Sequence, residues 1–344
     1  MGKRAKRLCL FLFFTFSLLP FLTVEGPPIH LVWRREVGPM TSSPGICEEG
    51  IILGTSKKIL YLLRPRDGKV ISKFKLKGHP ASAPTCEGET IYISSQIEDG
   101  LLALGLRLGK PIWWMEIPDP LTQPLVGRTR VWVGSGKGWL YCLASFEGRT
   151  LWRFKADGPI YSNLLLDGEK VFFGDGDGHF YALDVDKGEL LWQFDASSSI
   201  ISPPGSYRGG VYFGTYGGKF FAVDGKRGEK LWDFQTQGSI LSSPSFFKGR
   251  VFFGSNDFHL YCLEAESGRL CWKFKANGLV HSSPISAWGY LFFGSFDGYL
   301  YALDEEGRLF WKCKLGGSIR FSPLFAQGSI FVGADDGYLY AFGR

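Results

Sequence analysis

The 344-residue sequence is 45% hydrophobic and 16% aromatic, with 46 glycines and only 3 methionines. This composition is typical of packed β-sheets joined by tight turns. The formal charge of +6 falls to +3 once residues 1–26, which hold four cations and one glutamate, are set aside. The remaining chain has no run of lysine and arginine of the kind that binds nucleic acid, so we expect no nucleic-acid partner.

The N-terminal segment of the chain has the layout of a secretory signal. Four cations between Lys3 and Arg7 precede an apolar run from Leu8 to Val24. Residues 1–26 are therefore either a signal peptide or an uncleaved N-terminal membrane anchor, since the apolar run is near the short limit for crossing a bilayer. Either alternative predicts an exported chain, periplasmic or anchored to the membrane with its folded part on the outer side.

After this segment the sequence repeats with a period of about 40 residues. A tryptophan marks seven copies: Trp33, Trp113, Trp152, Trp192, Trp232, Trp272 and Trp311. Ser72 stands where one further copy would carry its tryptophan. A second ladder of the same period consists of prolines 44, 84, 124, 204, 244, 284 and 323, with Leu164 in the remaining copy. Counting the copy with Ser72, the repeat occurs eight times.

Each copy reads as four short strands. In one of them, Val251–Ser255 is aromatic and β-prone, a turn follows, and His259–Leu263 alternates. After a second turn comes the tryptophan strand, Leu270–Phe274, and then the segment around Pro284. A four-stranded antiparallel sheet of this length, repeated radially, is a β-propeller blade. The sequence thus predicts an all-β fold.

The two ends of the chain predict that the propeller is closed. The last copy stops at Tyr338–Phe342 without its tryptophan strand, and the missing strand lies at the other end, around Val32 to Arg34. Pairing the first strand with the last copy closes the ring and leaves no open sheet edge. We therefore predict one eight-bladed propeller over residues 27–344.

Six cysteines lie beyond the N-terminal segment. Cys142 and Cys262 occupy a slot held by alanine in other copies, which indicates small buried side chains,. The other four, for which the sequence assigns no pairing, are available for disulfides in an oxidising compartment: Cys47, Cys86, Cys271 and Cys313,. Metal-type spacing of cysteine or histidine is absent, and Asp175-Gly176-Asp177 is better explained as a tight turn than as a calcium site. We expect no metal.

The segments Ala182–Trp192 and Ala222–Trp232 resemble the AxDxxxGxxxW docking motif of the PQQ-type propeller repeat family. The resemblance covers essentially the whole chain after the signal. It implies a structural girdle in which each of the seven tryptophans packs between neighbouring blades near a motif glycine. Departures such as Ser72 imply a looser seam early in the ring.

Two branches of that family imply different functions. Quinoprotein dehydrogenases hold their quinone with adjacent cysteines, a Ca²⁺ ion and an aspartate base, and this sequence has no Cys-Cys pair. The branch that includes the outer-membrane assembly factor BamB is similar in blade number, length and export. It implies a monomeric, non-enzymatic scaffold without a cofactor, acting through protein partners in the cell envelope, although no cysteine for lipid attachment ends the signal segment. A small-ligand or sensor propeller and a PQQ-dependent dehydrogenase remain alternatives.

In the family, the segment before each ladder proline lies on the innermost strand. The slot three residues before that proline reads Thr41, Ala81, Leu121, Tyr161, Ile201, Leu241, His281 and Arg320. Its polar and aromatic members, Thr41, Tyr161, His281 and Arg320, are the candidate site for an anionic ligand or a partner carboxylate. The alternative is that these side chains merely line a solvated axis.

Overall fold

The computed structural model describes residues 29–95, 100–106, 110–117, 119 and 122–344. Within these residues, 32 strands form eight four-stranded antiparallel sheets. No helix in this part of the chain is long and apolar enough to span a membrane. The predicted all-β propeller is confirmed, whereas the predicted signal or anchor and Leu121 lie outside the described residues.

Each blade contains an inner, a second, a third and an outer strand. The inner strands of blades 1 to 8 are Gly45–Cys47, Thr85–Glu87, Leu125–Gly127, Leu165–Asp167, Gly205–Tyr207, Ser245–Phe247, Ile285–Ala287 and Leu324–Ala326. The second strands are Gly50–Gly54, Thr90–Ser95, Arg130–Gly134, Lys170–Gly174, Gly210–Gly214, Arg250–Gly254, Tyr290–Gly294 and Ser329–Gly333. The third strands are Ile59–Leu63, Gly100–Gly105, Trp139–Ala144, His179–Asp184, Lys219–Asp224, His259–Glu264, Tyr299–Leu303 and Tyr338–Gly343. The outer strands are Val70–Lys75, Pro111–Glu116, Thr150–Lys155, Leu190–Asp195, Lys230–Gln235, Leu270–Lys275, Leu309–Lys314 and, for blade 8, His30–Glu36.

Burial explains why the four strands of each blade differ in amino-acid composition. In blade 4, the second strand Lys170–Gly174 after its first residue, and the centre of the third strand His179–Asp184, are buried on both faces, because the blade is packed between its neighbours. These strands read as continuous apolar runs. The outer strand Leu190–Asp195 alternates between exposed and half-buried residues, because only one of its faces meets the next blade,.

The ring is closed by the two ends of the chain. Strand His30–Glu36 pairs antiparallel with Tyr338–Gly343, from His30 opposite Gly343 to Glu36 opposite Tyr338. Inner strands of neighbouring blades contact one another around the axis. The predicted closure is therefore confirmed, and the inner strands surround a central channel.

The tryptophan girdle joins successive blades. Six indoles cover a glycine of positive φ in the next blade so closely that an added Cβ would lie 2.5–2.7 Å from the indole: Gly68, Gly148, Gly188, Gly228, Gly268 and Gly307. Five of these six indole N–H groups also donate to a carbonyl of the next blade, those of Trp33, Trp113, Trp152, Trp232 and Trp272. The N–H of Trp192 is buried without a partner. Each docked indole contributes on the order of 1.5–3 kcal/mol by its burial.

Two seams depart from this scheme. Trp311 packs against Phe342 with ring centroids 5.5 Å apart, because the outer strand of blade 8 comes from the other end of the chain and no docking turn precedes it. Ser72 gives the seam between blades 1 and 2 no indole at all. A disulfide between Cys47 and Cys86, whose Cα atoms are 5.4 Å apart, joins the inner strands of these two blades instead.

Cys142 and Cys262 are buried, as predicted.

Candidate functional site at the central channel

The channel contains a polar cavity of about 350 Å³. Its polar lining comes mainly from one slot, the residue immediately before each ladder proline or before Leu164: Ser43, Gln123, Asn163, Ser243, Ser283 and Ser322. Because this slot precedes every inner strand, the propeller brings residues from successive repeats to one ring. Of the candidate slot, His281 and Leu241 also line the cavity.

Hydrogen bonds link these side chains from blade to blade. The backbone N–H of Ser243 donates to Oγ of Ser283 over 2.8 Å, and the N–H of Ser283 donates to Oγ of Ser322 over 2.8 Å. The N–H of Ser322 in turn donates to Oγ of Ser43 over 3.0 Å, across the seam between blades 8 and 1. The same bond joins Gln123 to Oδ1 of Asn163 over 3.0 Å.

The ring of bonds is interrupted at two blades. Ala83 and Pro203 occupy the same slot in blades 2 and 5, and neither supplies a side-chain acceptor,. The channel therefore has a continuous bonded arc from blade 6 through blade 8 to blade 1 and a shorter one across blades 3 and 4. The slot is polar in six of the eight copies, a pattern that was readable in the sequence but that our prediction, centred two residues upstream, did not use.

A second slot, two residues before the ladder proline, fixes the segment to its own blade. Oγ of Ser282 donates to the carbonyl of Gly294 over 2.8 Å and accepts from the N–H of the same glycine over 2.7 Å. The same reciprocal pair occurs at Ser162, Ser202 and Ser242. These buried hydroxyls hold the chain so that the neighbouring slot faces the channel.

Two of the four predicted site residues come together around Phe296, beside the cavity that His281 lines. The imidazole of His281 packs on the ring of Phe296 with centroids 4.4 Å apart, and the Arg320 guanidinium lies 5.2 Å from the centre of the same ring. Arg320 also binds Asp335 through Nε and Oδ2, 2.6 Å apart. Burial, and secondarily the positive charge of Arg320, lower the pKa of His281 below 6.5. His281 is therefore a neutral imidazole at neutral pH, with its Nε2 atom buried and unpartnered,.

The other two predicted residues lie apart from this pair. Tyr161 is 45% exposed on blade 4, and no hydrogen bond or ring contact joins it to His281 or Arg320 among the described residues. The backbone N–H of Thr41 donates to the carbonyl of Gly54 over 3.1 Å, while its hydroxyl is buried without a partner. The structure thus gathers His281 and Arg320 around Phe296 and leaves Thr41 and Tyr161 as separate features of blades 1 and 4.

The carboxylate of Asp175, in the turn considered for calcium, is fully buried and used inside the fold. Its Oδ1 accepts from the N–H groups of Asp177 and His179, and its Oδ2 accepts from the N–H of Gly158 and the hydroxyl of Tyr181. Burial raises the pKa of Tyr181, which keeps its proton in this bond. Over the described ranges, no group of three or more His, Cys, Asp or Glu side chains is arranged to hold a metal ion.

The repeats match a protein-family model described as outer membrane protein assembly factor BamB. The matches cover residues 98–239, 223–304 and 284–343, more than two thirds of the chain taken together. The chain belongs to this family. A search of curated proteins found no match.

Solved structures of low sequence identity share the fold of this family member. BamB from Moraxella catarrhalis is 19% identical, with a TM-score of 0.80 over 92% of this chain and 98% of that one. The computationally designed protein Ika8 is 15% identical, with a TM-score of 0.78 over 90% and 100%. The quinohemoprotein alcohol dehydrogenase ADHIIG from Pseudomonas putida HK5 is 12% identical, with a TM-score of 0.76 over 92% and 76%. At these identities the likenesses show the propeller fold alone.

The cavity chemistry bears on the quinone that gives the repeat its name. Calcium sites in proteins include charged carboxylate ligands as well as neutral carbonyl oxygens. The described residues that line the cavity present hydroxyl, amide, imidazole and apolar groups, with no carboxylate among them. These residues do not fit a calcium-assisted quinone site of the dehydrogenase type.

Proposed function

We propose that the chain is a non-enzymatic, exported propeller that acts as a protein-interaction scaffold in the cell envelope, in the manner of an outer-membrane assembly factor. The match of residues 98–343 to the BamB family model carries this proposal. The secretory layout of residues 1–26 supports export,. The disulfide between Cys47 and Cys86 supports an oxidising compartment such as the periplasm,.

The partner-binding site that we propose is the cluster around Phe296. Arg320 is 56% exposed in its side chain and offers a planar cation beside the neutral His281. A partner carboxylate fits this group, because the guanidinium has five N–H donors and Asp335 accepts from only one of them, on Nε,. Tyr161 and Thr41 would serve as outlying contacts on blades 4 and 1.

Deletion of the gene in its own host tests the proposed function. We expect fewer folded β-barrel proteins in the outer membrane, measured by their heat-modifiable mobility on gels, and restoration by the wild-type chain. The Arg320→Ala chain, with an unchanged melting temperature, should restore the level less well. Normal barrel levels after deletion would remove the assembly role.

The cavity of about 350 Å³ favours a small-ligand or sensor propeller as the second candidate,.

A PQQ-dependent dehydrogenase is the third candidate function. The likeness in fold to a quinohemoprotein alcohol dehydrogenase motivates a direct assay of this activity. Titration of the purified chain with PQQ and Ca²⁺, followed by absorbance and dye-coupled alcohol oxidation, should give neither binding nor turnover. Turnover would replace the scaffold proposal with an oxidoreductase.

A further inference from the structure

Cations are unevenly distributed around the perimeter of the ring. The outer strands of blades 6, 7, 8 and 1 together hold eight lysines and arginines and one glutamate. The outer strands of blades 2 to 5 hold three cations and three carboxylates. One half of the perimeter, here called the basic rim, is therefore strongly positive. The basic rim is not evident in the linear sequence, because its cations are divided into small groups, one group in each repeat.

The cations at the centre of the basic rim are exposed and carry no counter-charge. Lys312 and Lys314 in blade 7, and Arg34 and Arg35 in blade 8, form no ion pair with a carboxylate of the described residues. Lys312 and Lys314 lie 4.9 and 5.0 Å from the ring centre of Tyr299 instead. Such contacts orient an ammonium group without neutralising it, so these charges remain available to an external anion.

Exposed apolar side chains adjoin these cations on the same two strands. Leu309 and Phe310 are 44% and 47% exposed in blade 7, and Leu31 and Val32 are 47% and 46% exposed in blade 8. Blades 7 and 8 are neighbours, so the two apolar pairs stand side by side on the perimeter. Exposed apolar groups beside unpaired cations are the combination that binds membrane surfaces carrying anionic lipid.

The N-terminal segment is attached to this same place. The outer strand of blade 8 begins at His30, and the apolar run of the sequence ends at Val24. An extended chain spans at most about 3.5 Å per residue, so the six steps from Val24 to His30 limit the distance between blade 8 and a membrane that holds the apolar run to roughly 21 Å. If residues 1–26 stay in the membrane, the outer strand of blade 8 is the strand of the propeller that is tethered to it.

We propose that the perimeter of blades 7 and 8, flanked by blades 6 and 1, docks edge-on against an anionic phospholipid surface. Each lysine or arginine near such a surface raises affinity about fivefold, and the attraction weakens as salt rises. This surface is separate from the cluster around Phe296, so its failure would leave the scaffold proposal untouched, and failure of the scaffold proposal would leave this one standing.

Lysine footprinting of the full chain tests the proposal. The chain is reconstituted in vesicles rich in phosphatidylglycerol or made of phosphatidylcholine alone, and the acetylation rate of each lysine is followed by mass spectrometry. We expect Lys312 and Lys314 to react several times more slowly on the anionic vesicles only. Lys226 and Lys230, in blade 5 outside the basic rim, should react equally on both.

Three results would overturn the proposal. Equal acetylation of Lys312 and Lys314 on both kinds of vesicle would show that anionic lipid does not cover them. Equal protection of Lys226 and Lys230 would indicate non-specific adsorption. Protection by an acidic polypeptide or by duplex DNA, but not by anionic vesicles, would assign the rim to an acidic macromolecule.

Matched variants measure the affinity. All 32 strands lie within residues 30–343, and the ring is closed by them, so the chain without residues 1–28 retains every blade. In vesicle sedimentation, the combined change R34Q, R35Q, K312Q and K314Q should weaken binding to anionic vesicles on the order of a hundredfold or more. The control K187Q, K226Q, R227Q and K230Q removes the same charge from blades 4 and 5 and should retain most of the affinity. Equal loss in both variants would mean that only net charge matters, which contradicts a docking surface.

Discussion

At the scale of single residues, the tryptophans show how one side chain acts differently in equivalent positions. Trp272 and Trp192 both cover a glycine of the next blade, Gly307 and Gly228 respectively. The indole of Trp272 donates to the carbonyl of Glu305 over 2.9 Å, whereas the N–H of Trp192 is buried without an acceptor. Burial of an unpaired donor costs free energy, so equal packing does not mean equal stability.

Replacement of each indole by phenylalanine separates packing from hydrogen bonding. Trp272→Phe removes apolar area and a hydrogen bond, whereas Trp192→Phe removes similar area together with an unpaired donor. We expect Trp272→Phe to reduce the free energy of unfolding more than Trp192→Phe does, by about 1–2 kcal/mol. Urea unfolding measures both, and equal losses would show that the indole bond contributes nothing.

The His281 imidazole has a testable titration. Burial first, and Arg320 second, hold its pKa below 6.5 in the folded protein. As pH falls through 6.5, the unfolded chain takes up this proton before the folded one, so stability falls with decreasing pH,. Urea unfolding between about pH 7.5 and 5 should show a smaller loss in His281→Gln than in the wild type. In Arg320→Gln, the pKa of His281 measured by NMR should move upward. An unchanged pKa would show that the charge of Arg320 does not lower the pKa of His281.

At the scale of elements, the third-to-outer turns and the inner strands hold the blades together. Gly307 in one such turn has φ +79°, and an added Cβ would lie 2.5 Å from the indole of Trp272. Gly328, in an inner-to-second hairpin, has a similar φ of +73° but nothing within 4 Å of an added Cβ. The two glycines therefore share a backbone requirement, and only Gly307 has a packing requirement as well.

Alanine at these two positions distinguishes the two requirements. Gly328→Ala should cost about 1–2 kcal/mol, the penalty for a left-handed residue with a side chain. Gly307→Ala should cost about 1–3 kcal/mol more, because the methyl group displaces Trp272. Thermal and urea unfolding of both variants provide the comparison. Equal losses would mean that the indole yields without cost.

The disulfide belongs to the same scale, because it joins two inner strands at the seam that lacks an indole. Cys47 and Cys86 are 39 positions apart, and a crosslink over such a loop contributes about 4 kcal/mol in the loop-entropy account,. We expect the combined change C47A and C86A to lower the free energy of unfolding by about that amount. Reductant should destabilise the wild type but not this variant, whose remaining described cysteines are free. A reductant-insensitive wild type would contradict the link between blades 1 and 2.

At the scale of the whole molecule, the repeat makes the fold predictable and the site hard to predict. The repeat period, the turn residues and the tryptophan strand around Trp33, which precedes the first full repeat, are local signals. They predicted the eight blades and the closure between His30–Glu36 and Tyr338–Gly343. Two later features were not predicted. The Cys47–Cys86 pairing depends on which strand faces the next blade, and the polar ring depends on which of three adjacent slots faces the channel. The basic rim was missed for a similar reason, since cations such as Lys312 and Arg34 become neighbours only when the ring closes.

Quantitative affinity purification of the full chain tests directly whether the propeller is an envelope scaffold. Brief crosslinking in its own host would precede purification, and an exported protein of similar abundance would serve as the control. We expect subunits of the outer-membrane barrel assembly machinery to copurify in near-stoichiometric amounts with the wild type and in reduced amounts with Arg320→Ala. Recovery of those subunits only at the level of the control would contradict the scaffold proposal.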